Sequence, residues 1–150
     1  MDQRTAAVNA WESLFRAQVA VVRRLSQEFP VDTLSFNEYD VLFNLSRQEG
    51  HRLRIRDLSR HLLLTQPSVS RMVDRLVSRG LVSKESDPVD GRGTFVCLTD
   101  SGYTLFRRAA TVHAASINRH VGEALSVEEL RQLTTLTDRI RASVEAESRR

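Results

Sequence analysis

The chain has 150 residues and contains few of the residue types that mark several large classes of protein. Its single cysteine, Cys97, cannot form an intramolecular disulfide, so we expect a reducing compartment. The longest apolar runs, such as "VAVV", are far shorter than the roughly 20 residues that a membrane-spanning helix needs. The first residues also lack the charged-then-apolar pattern of a signal peptide. These absences predict a cytoplasmic protein that does not interact with a membrane.

Motifs of catalysis and metal binding are also missing from the sequence. It contains no G-x-G-x-x-G after a strand, no P-loop, no H-E-x-x-H and no G-x-S-x-G, so neither an enzyme nor a cofactor is predicted. His113 and His120 are seven residues apart on one predicted helix face, where they could be two ligands of a zinc site. No cluster of cysteines or carboxylates accompanies them, so no metal site is predicted.

Lysine is almost absent, and Lys84 is its single instance, so the basic charge comes from arginine. Codon bias in a GC-rich genome would explain the arginine excess equally well, but the distribution of charge is more informative. Residues 51–99 carry nine Lys and Arg against five Asp and Glu, whereas residues 1–50 carry five against seven. A local positive excess of this kind is what phosphate binding requires.

The periodicity of apolar residues predicts six helices and two strands. The helices are expected over 3–29, from 35 to before 50, within "RIRDLSRHLLL", over 65–80, over 100 to about 121, and from 126 onward. Ser35 with Glu38, and Ser126 with Glu129, form two predicted capping boxes. "LVSKES" and "TFVCLT" are strand-like, and the intervening "DPVDGRG" is typical of a hairpin tip.

The fourth predicted helix, "TQPSVSRMVDRLVSRG", divides into an apolar and a polar face. We expect its apolar stripe to be buried; the members are Val69, Met72, Val73, Leu76 and Val77. Serines and the two arginines Arg71 and Arg75 occupy the opposite face. An ordinary solvated helix would show the same division. A preceding helix and turn, a following hairpin and the basic excess together favour a winged helix-turn-helix whose polar face enters the DNA major groove.

The predicted fold is therefore mainly α with a small β-hairpin wing. A winged helix-turn-helix lobe would cover 35–99, with flanking helices at 1–30 and 100–150 in a single domain of 1–150. Arg71 and Arg75 can reach phosphates or guanine edges, and the amides at the helix N-terminus favour phosphate.

Residues 65–102, "TQPSVSRMVDRLVSRGLVSKESDPVDGRGTFVCLTDSG", resemble the core of the MarR family of bacterial regulators. The shared pattern is S/T-R-hydrophobic-hydrophobic-D-R-L, then G-L-V, D-P-x-D-x-R-G and V-x-L-T-x-x-G. The resemblance implies a wing arginine, Arg92, in the minor groove and an aspartate, Asp90, that holds the wing by pairing with an arginine. Gly91 departs from the family, where many members carry a second basic residue. The candidate DNA-contacting residues are Thr65, Gln66, Ser68, Ser70, Arg71, Arg75, Asp90 and Arg92.

The resemblance also implies a homodimer formed by the first, fifth and last helices. Its partner would be double-stranded DNA with a pseudo-palindromic operator sequence. When bound to DNA, the protein would be associated with the nucleoid. A ligand-released repressor is the expected function, with a small aromatic or phenolic effector. Candidate pocket residues, for most of which core packing is the more common role, are Trp11, Phe15, Phe36, Tyr39 and His113. Two alternatives remain open: a redox-responsive regulator acting through Cys97, and a winged helix that docks protein instead of DNA.

Overall fold

A computed structural model describes residues 2–62 and 64–148 of the chain. Met1, Leu63, Arg149 and Arg150, which belong to the predicted domain, lie outside the described residues. The described part has six α-helices and three strands, with a 3-10 turn at Glu49–His51 and a π turn at Asn118–Gly122. In chain order they are α1 (Gln3–Glu28), α2 (Phe36–Ser46), β1 (Arg52–Arg54), α3 (Ile55–His61), α4 (Gln66–Ser78), β2 (Val82–Ser86), β3 (Thr94–Leu98), α5 (Asp100–Ile117) and α6 (Val127–Glu147).

The helix starts follow the capping signals in the sequence. At α2 the Ser35 hydroxyl accepts the Glu38 N–H at 3.1 Å, and the Glu38 carboxylate accepts the Ser35 N–H at 3.1 Å. Ser126 and Glu129 form the same reciprocal pair at the start of α6. Both predicted capping boxes are confirmed. The fifth helix is α-helical to Ile117 and then widens into the π turn.

The sheet has three strands, of which the sequence predicts only two. β1 pairs antiparallel with β3, as β2 does, so the order is β1-β3-β2. Arg52 lies opposite Cys97 and Leu53 lies opposite Val96. β1 escaped notice because it has only three residues, fewer than most strands, and because its partner is more than forty residues away in sequence.

Residues 28–113 form one compact unit, the lobe, which contains α2–α4, the sheet and most of α5. Its fully buried side chains are Leu34, Val41, Leu42, Leu45, Leu58, Val69, Val73, Leu76 and Val96. The predicted stripe of α4 supplies several of them, but Val77 is 37% exposed, and its predicted burial is wrong. It lies one position beyond Leu76, at the margin of the buried stripe.

The second unit consists of the residues up to Gln27 and those from Ala114 onward. Here α1 and α6 line an apolar groove whose walls are Ala7, Ala10, Trp11, Leu14, Leu133, Leu136, Ile140 and Val144. Most of its large side chains remain exposed, with Trp11 at 60% and Ile140 at 54%. No helix in the described part of the chain is long and apolar enough to cross a membrane.

Candidate nucleic-acid interface

The N-terminal end of α4 presents a small polar surface. Thr65 caps the helix, its Oγ1 accepting the Ser68 N–H at 3.4 Å, and Pro67 fits within the first turn. The Thr65 hydroxyl also donates to the Ser68 hydroxyl at 2.9 Å, and Arg71 Nη2 donates to Ser68 Oγ at 3.3 Å. Arg71 is thus drawn toward the end of the helix where the free amides and the positive end of the helix dipole lie.

The only acidic side chain on this face, that of Asp74, is neutralised within the lobe. Lys84 Nζ of β2 donates to Asp74 Oδ1, which joins α4 to the wing strand. No carboxylate among the described residues pairs with Arg71, Arg75 or Arg92, and all three arginines are exposed. The solvent side of α4 therefore carries uncompensated positive charge.

The root of the wing is organised by Asp87, which is not among the site residues predicted from the sequence. Its side chain is 2% exposed; Oδ1 accepts the Val89 N–H at 2.9 Å, and Oδ2 lies 2.5 Å from Arg54 Nη2 of β1. The Val89 N–H lowers the pKa of Asp87 most, with smaller contributions from the Asp90 N–H and the Arg54 guanidinium, whereas burial raises it. The ion pair expected at Asp90 is therefore made by Asp87.

Asp90 acts on the wing backbone instead. Its Oδ1 accepts the Arg92 N–H at 3.1 Å, and its carbonyl accepts the Gly93 N–H at 2.8 Å. The expected pairing of the Asp90 carboxylate with an arginine side chain is wrong because that carboxylate is turned into the tight turn, where it accepts the Arg92 N–H. The turn leaves the Arg92 side chain exposed at the tip.

Helix and wing meet at one cleft that holds three of the predicted DNA-binding residues, Gln66, Asp90 and Arg92. Arg54 and Arg56 also line it, and they were missed by the sequence analysis. Their signal lies in the alternating "RLRIR", of which the last three residues belong to the predicted third helix. Thr65, Ser68, Ser70, Arg71 and Arg75 lie along α4 itself, so the predicted set forms one helix face and one wing tip.

The pocket residues predicted from the sequence fall in both units. In the lobe, the His113 ring lies 5.4 Å from Phe29, 5.7 Å from Phe36 and 5.1 Å from Tyr39, all at steep angles. Burial lowers the pKa of His113, and its Nδ1 has no hydrogen-bond partner among the described residues.

Trp11 and Phe15 lie 5.8 Å apart on an exposed face of α1, in the other unit. A pocket that combines these two rings with the three in the lobe stays a prediction.

Cys97 lies on the outer face of β3, beside Glu85 and Arg52. Burial raises the pKa of its thiol, and the Glu85 carboxylate raises it further. Peroxide reacts with thiolates, so this environment opposes redox sensing. No group of three or more His, Cys, Asp or Glu side chains among the described residues could hold a metal ion.

Comparison with known proteins finds similarity to one family of transcriptional regulators. The sequence model of the MarR family matches residues 32–93. MhqR, an HTH-type transcriptional regulator of Bacillus subtilis (strain 168), is 29% identical over 127 residues, which are 85% of this chain and 86% of MhqR.

Two solved structures from Streptomyces coelicolor share the fold. AbsC, a MarR family transcriptional regulator, has a TM-score of 0.78 and 27% identity and covers 97% of each chain. Sco3205, a MarR family regulator solved in complex with DNA, has a TM-score of 0.76 and 28% identity and covers 89% of this chain and 84% of its own. These matches make the chain similar to DNA-binding transcriptional regulators of the MarR family, whose winged helix-turn-helix fold it shares.

Proposed function

We propose that this chain is a ligand-released repressor that binds a pseudo-palindromic operator as a homodimer. The observation that carries the DNA-binding part is the face of α4. Arg71 and Arg75 are exposed there without acidic partners among the described residues, while Val69, Val73 and Leu76 fix the opposite face to the lobe. A rigid helix with a free polar face and two exposed arginines suits the major groove.

The homodimer is supported by the unit that contains α1 and α6. Its apolar groove, lined by Leu136, Ile140 and Val144 among others, is exposed in a single chain. A contiguous apolar surface of this kind marks an interaction site, and a second copy of the same two helices would bury it. Two lobes related by a two-fold axis would then read half-sites roughly one helical turn, about 10 bp, apart.

Selection of bound duplexes from a random pool tests this function. We expect the selected sequences to contain an inverted repeat, and the affinity for them to fall log-linearly with salt, with a slope of about −0.9 per phosphate contact. A winged helix that docks protein would enrich no duplex and would show no such slope.

The same duplex tests the assigned contacts on α4. Arg71→Ala and Arg75→Ala should each weaken binding by roughly 1–3 kcal/mol if the arginine makes a bidentate base contact. Arg131→Ala removes the same charge from an exposed site on α6 and serves as the control. Unchanged affinity in both α4 variants would contradict the major-groove assignment.

Release by a small aromatic or phenolic effector is supported by the aromatic rings available in both units. Phe36, Tyr39 and His113 are grouped in the lobe, and Trp11 and Phe15 are exposed on α1. Salicylate, a small phenolic acid, is a suitable first probe. Aliphatic carboxylic acids of similar size, which lack an aromatic ring, serve as controls. We expect salicylate to lower the affinity for the selected duplex; a series of phenolic compounds without effect would contradict the effector part of the proposal.

A further inference from the structure

The C-terminal end of α4 is held by an arginine that the function described above does not use. Arg79 follows the last helical residue, and its Nη1 donates to Glu38 Oε2 at 2.9 Å. Its Nη2 donates to the carbonyl oxygen of Thr33. Both acceptors lie more than forty residues earlier in the chain, so this single guanidinium joins α4 to the start of α2.

The acceptor site for Arg79 is rigid and partly shielded. The Glu38 side chain is 13% exposed, and its Oε2 also accepts the Ser35 N–H in the capping box of α2. The carboxylate is therefore fixed by the helix start before Arg79 reaches it. A planar guanidinium that donates to a carboxylate and a carbonyl at once fixes direction as well as distance, which a lysine cannot do.

The position of the N-terminal end of α4 depends strongly on how its C-terminal end is held. The helix has 13 residues, so its two ends are about 20 Å apart at 1.5 Å per residue. A tilt of about 3° around the Arg79 end would move the Ser68 end by about 1 Å, which exceeds the roughly 0.5 Å tolerance of a functional contact. Small displacements at Arg79 would therefore misplace the base-contacting side chains at the opposite end of α4.

We propose that Arg79 and Glu38 are positioning residues that set the orientation of α4 in the groove and so determine sequence specificity without reading a base. This inference rests on the proposed function. Neighbouring contacts would keep the helix folded without Arg79, because the Thr99 hydroxyl donates to the Gly80 carbonyl at 2.7 Å and the Leu81 N–H donates to the Leu76 carbonyl at 3.0 Å.

The test measures the ratio of affinities for the selected duplex and for a random duplex of equal length. Arg79→Gln and Glu38→Gln should each lower this ratio about tenfold, and the double variant should lower it no further, because both remove one interaction. Glutamine at 38 can still cap α2. Arg79→Lys keeps the charge and should also lose specificity, whereas Arg47→Gln, a charge-matched control at the other end of α2, should not.

Two results would overturn the inference. One is an unchanged ratio in both Gln variants. The other is equal weakening on both duplexes with a shallower salt slope for Arg79→Gln alone, which would make Arg79 a phosphate contact. A wild-type chain that prefers no duplex would overturn the proposed function and this inference together, whereas a wild-type preference that both variants keep would overturn the inference alone.

Discussion

The two units of the chain differ in what they bury. The lobe of residues 28–113 contains every fully buried large side chain of the described residues; they come from α2, α3, α4 and β3, with Leu34 from the turn before α2. The unit with α1 and α6 has none of these, and Leu136, Ile140 and Val144 of its last helix are more than half exposed. The lobe buries its apolar side chains within a single chain, whereas the unit with α1 and α6 leaves most of its large apolar side chains exposed to solvent.

This difference assigns different physical roles to apolar residues that look alike in sequence. Val73 and Ile140 both belong to helical stripes, yet the first is fully buried and the second is 54% exposed. Burial of Val73 stabilises the fold of one chain, whereas we expect burial of Ile140 to occur only on association. Four variants test this comparison of the two units, from the largest expected effect to the smallest.

The largest effect is expected from Leu136→Glu in the groove of α6. A homodimer would contain two such charges, and an unpaired buried charge costs about 3–5 kcal/mol. We expect light scattering to show monomers at micromolar concentration, with the lobe still folded. Gln132→Glu adds the same charge one turn earlier at an exposed site and should leave the dimer intact. A Leu136→Glu protein that remains a dimer would show that this groove is not the interface.

Gly102→Ala should act on the lobe instead. A Cβ at this position would overlap the Leu81 carbonyl and lie 2.9 Å from Leu98 Cδ1, so the end of the wing would have to move away from α5. We expect a loss of about 1–3 kcal/mol in the free energy of unfolding, measured by urea denaturation. Gly91→Ala is the control, since no atom lies within 4 Å of a Cβ there. Equal stability of the two variants would refute the packing argument.

Arg92→Ala should affect DNA binding without affecting the stability of either unit. The side chain is exposed at the wing tip, and a narrow A·T-rich minor groove attracts such an arginine. We expect weaker binding, loss of preference for A·T flanks and a salt slope shallower by about 1. Val89→Ala changes an exposed residue of the same loop and should bind as wild type does. If affinity, flank preference and slope all match wild type, the wing does not read DNA.

The smallest effect concerns the pH dependence of lobe stability. Burial lowers the pKa of His113, so protonation favours the unfolded chain, whose histidine has a pKa of about 6.5. Neutral His113 therefore contributes fully to the stability of the lobe above pH about 6.5. This contribution decreases as the pH falls from there to the lower pKa of His113 in the folded state. Urea midpoints at pH 8 and pH 5.5 should therefore differ more for wild type than for His113→Phe. Identical differences would contradict this assignment.

The sequence predicted what depends on neighbours in the chain. The capping box at Ser35 and all of the apolar stripe of α4 except Val77 follow from spacing within a few residues. The strand β1 and the ion pair of Arg54 with Asp87 did not follow, because each depends on residues that are distant in sequence. The same reason explains why Asp90 was expected to make the pair that Asp87 makes.

The strand order β1-β3-β2 has a consequence for how the chain folds during synthesis. β3 is the last strand to be made, yet it lies in the middle of the sheet and pairs with both others. Leu53 must wait for Val96, its partner, so β1 remains an unpaired segment until most of the lobe has left the ribosome. At roughly 5–20 residues per second, this delay lasts several seconds. The α2–α4 helices can form in that interval, so closure of the sheet, and with it the placing of the wing beside α4, follows helix formation in the folding of the lobe.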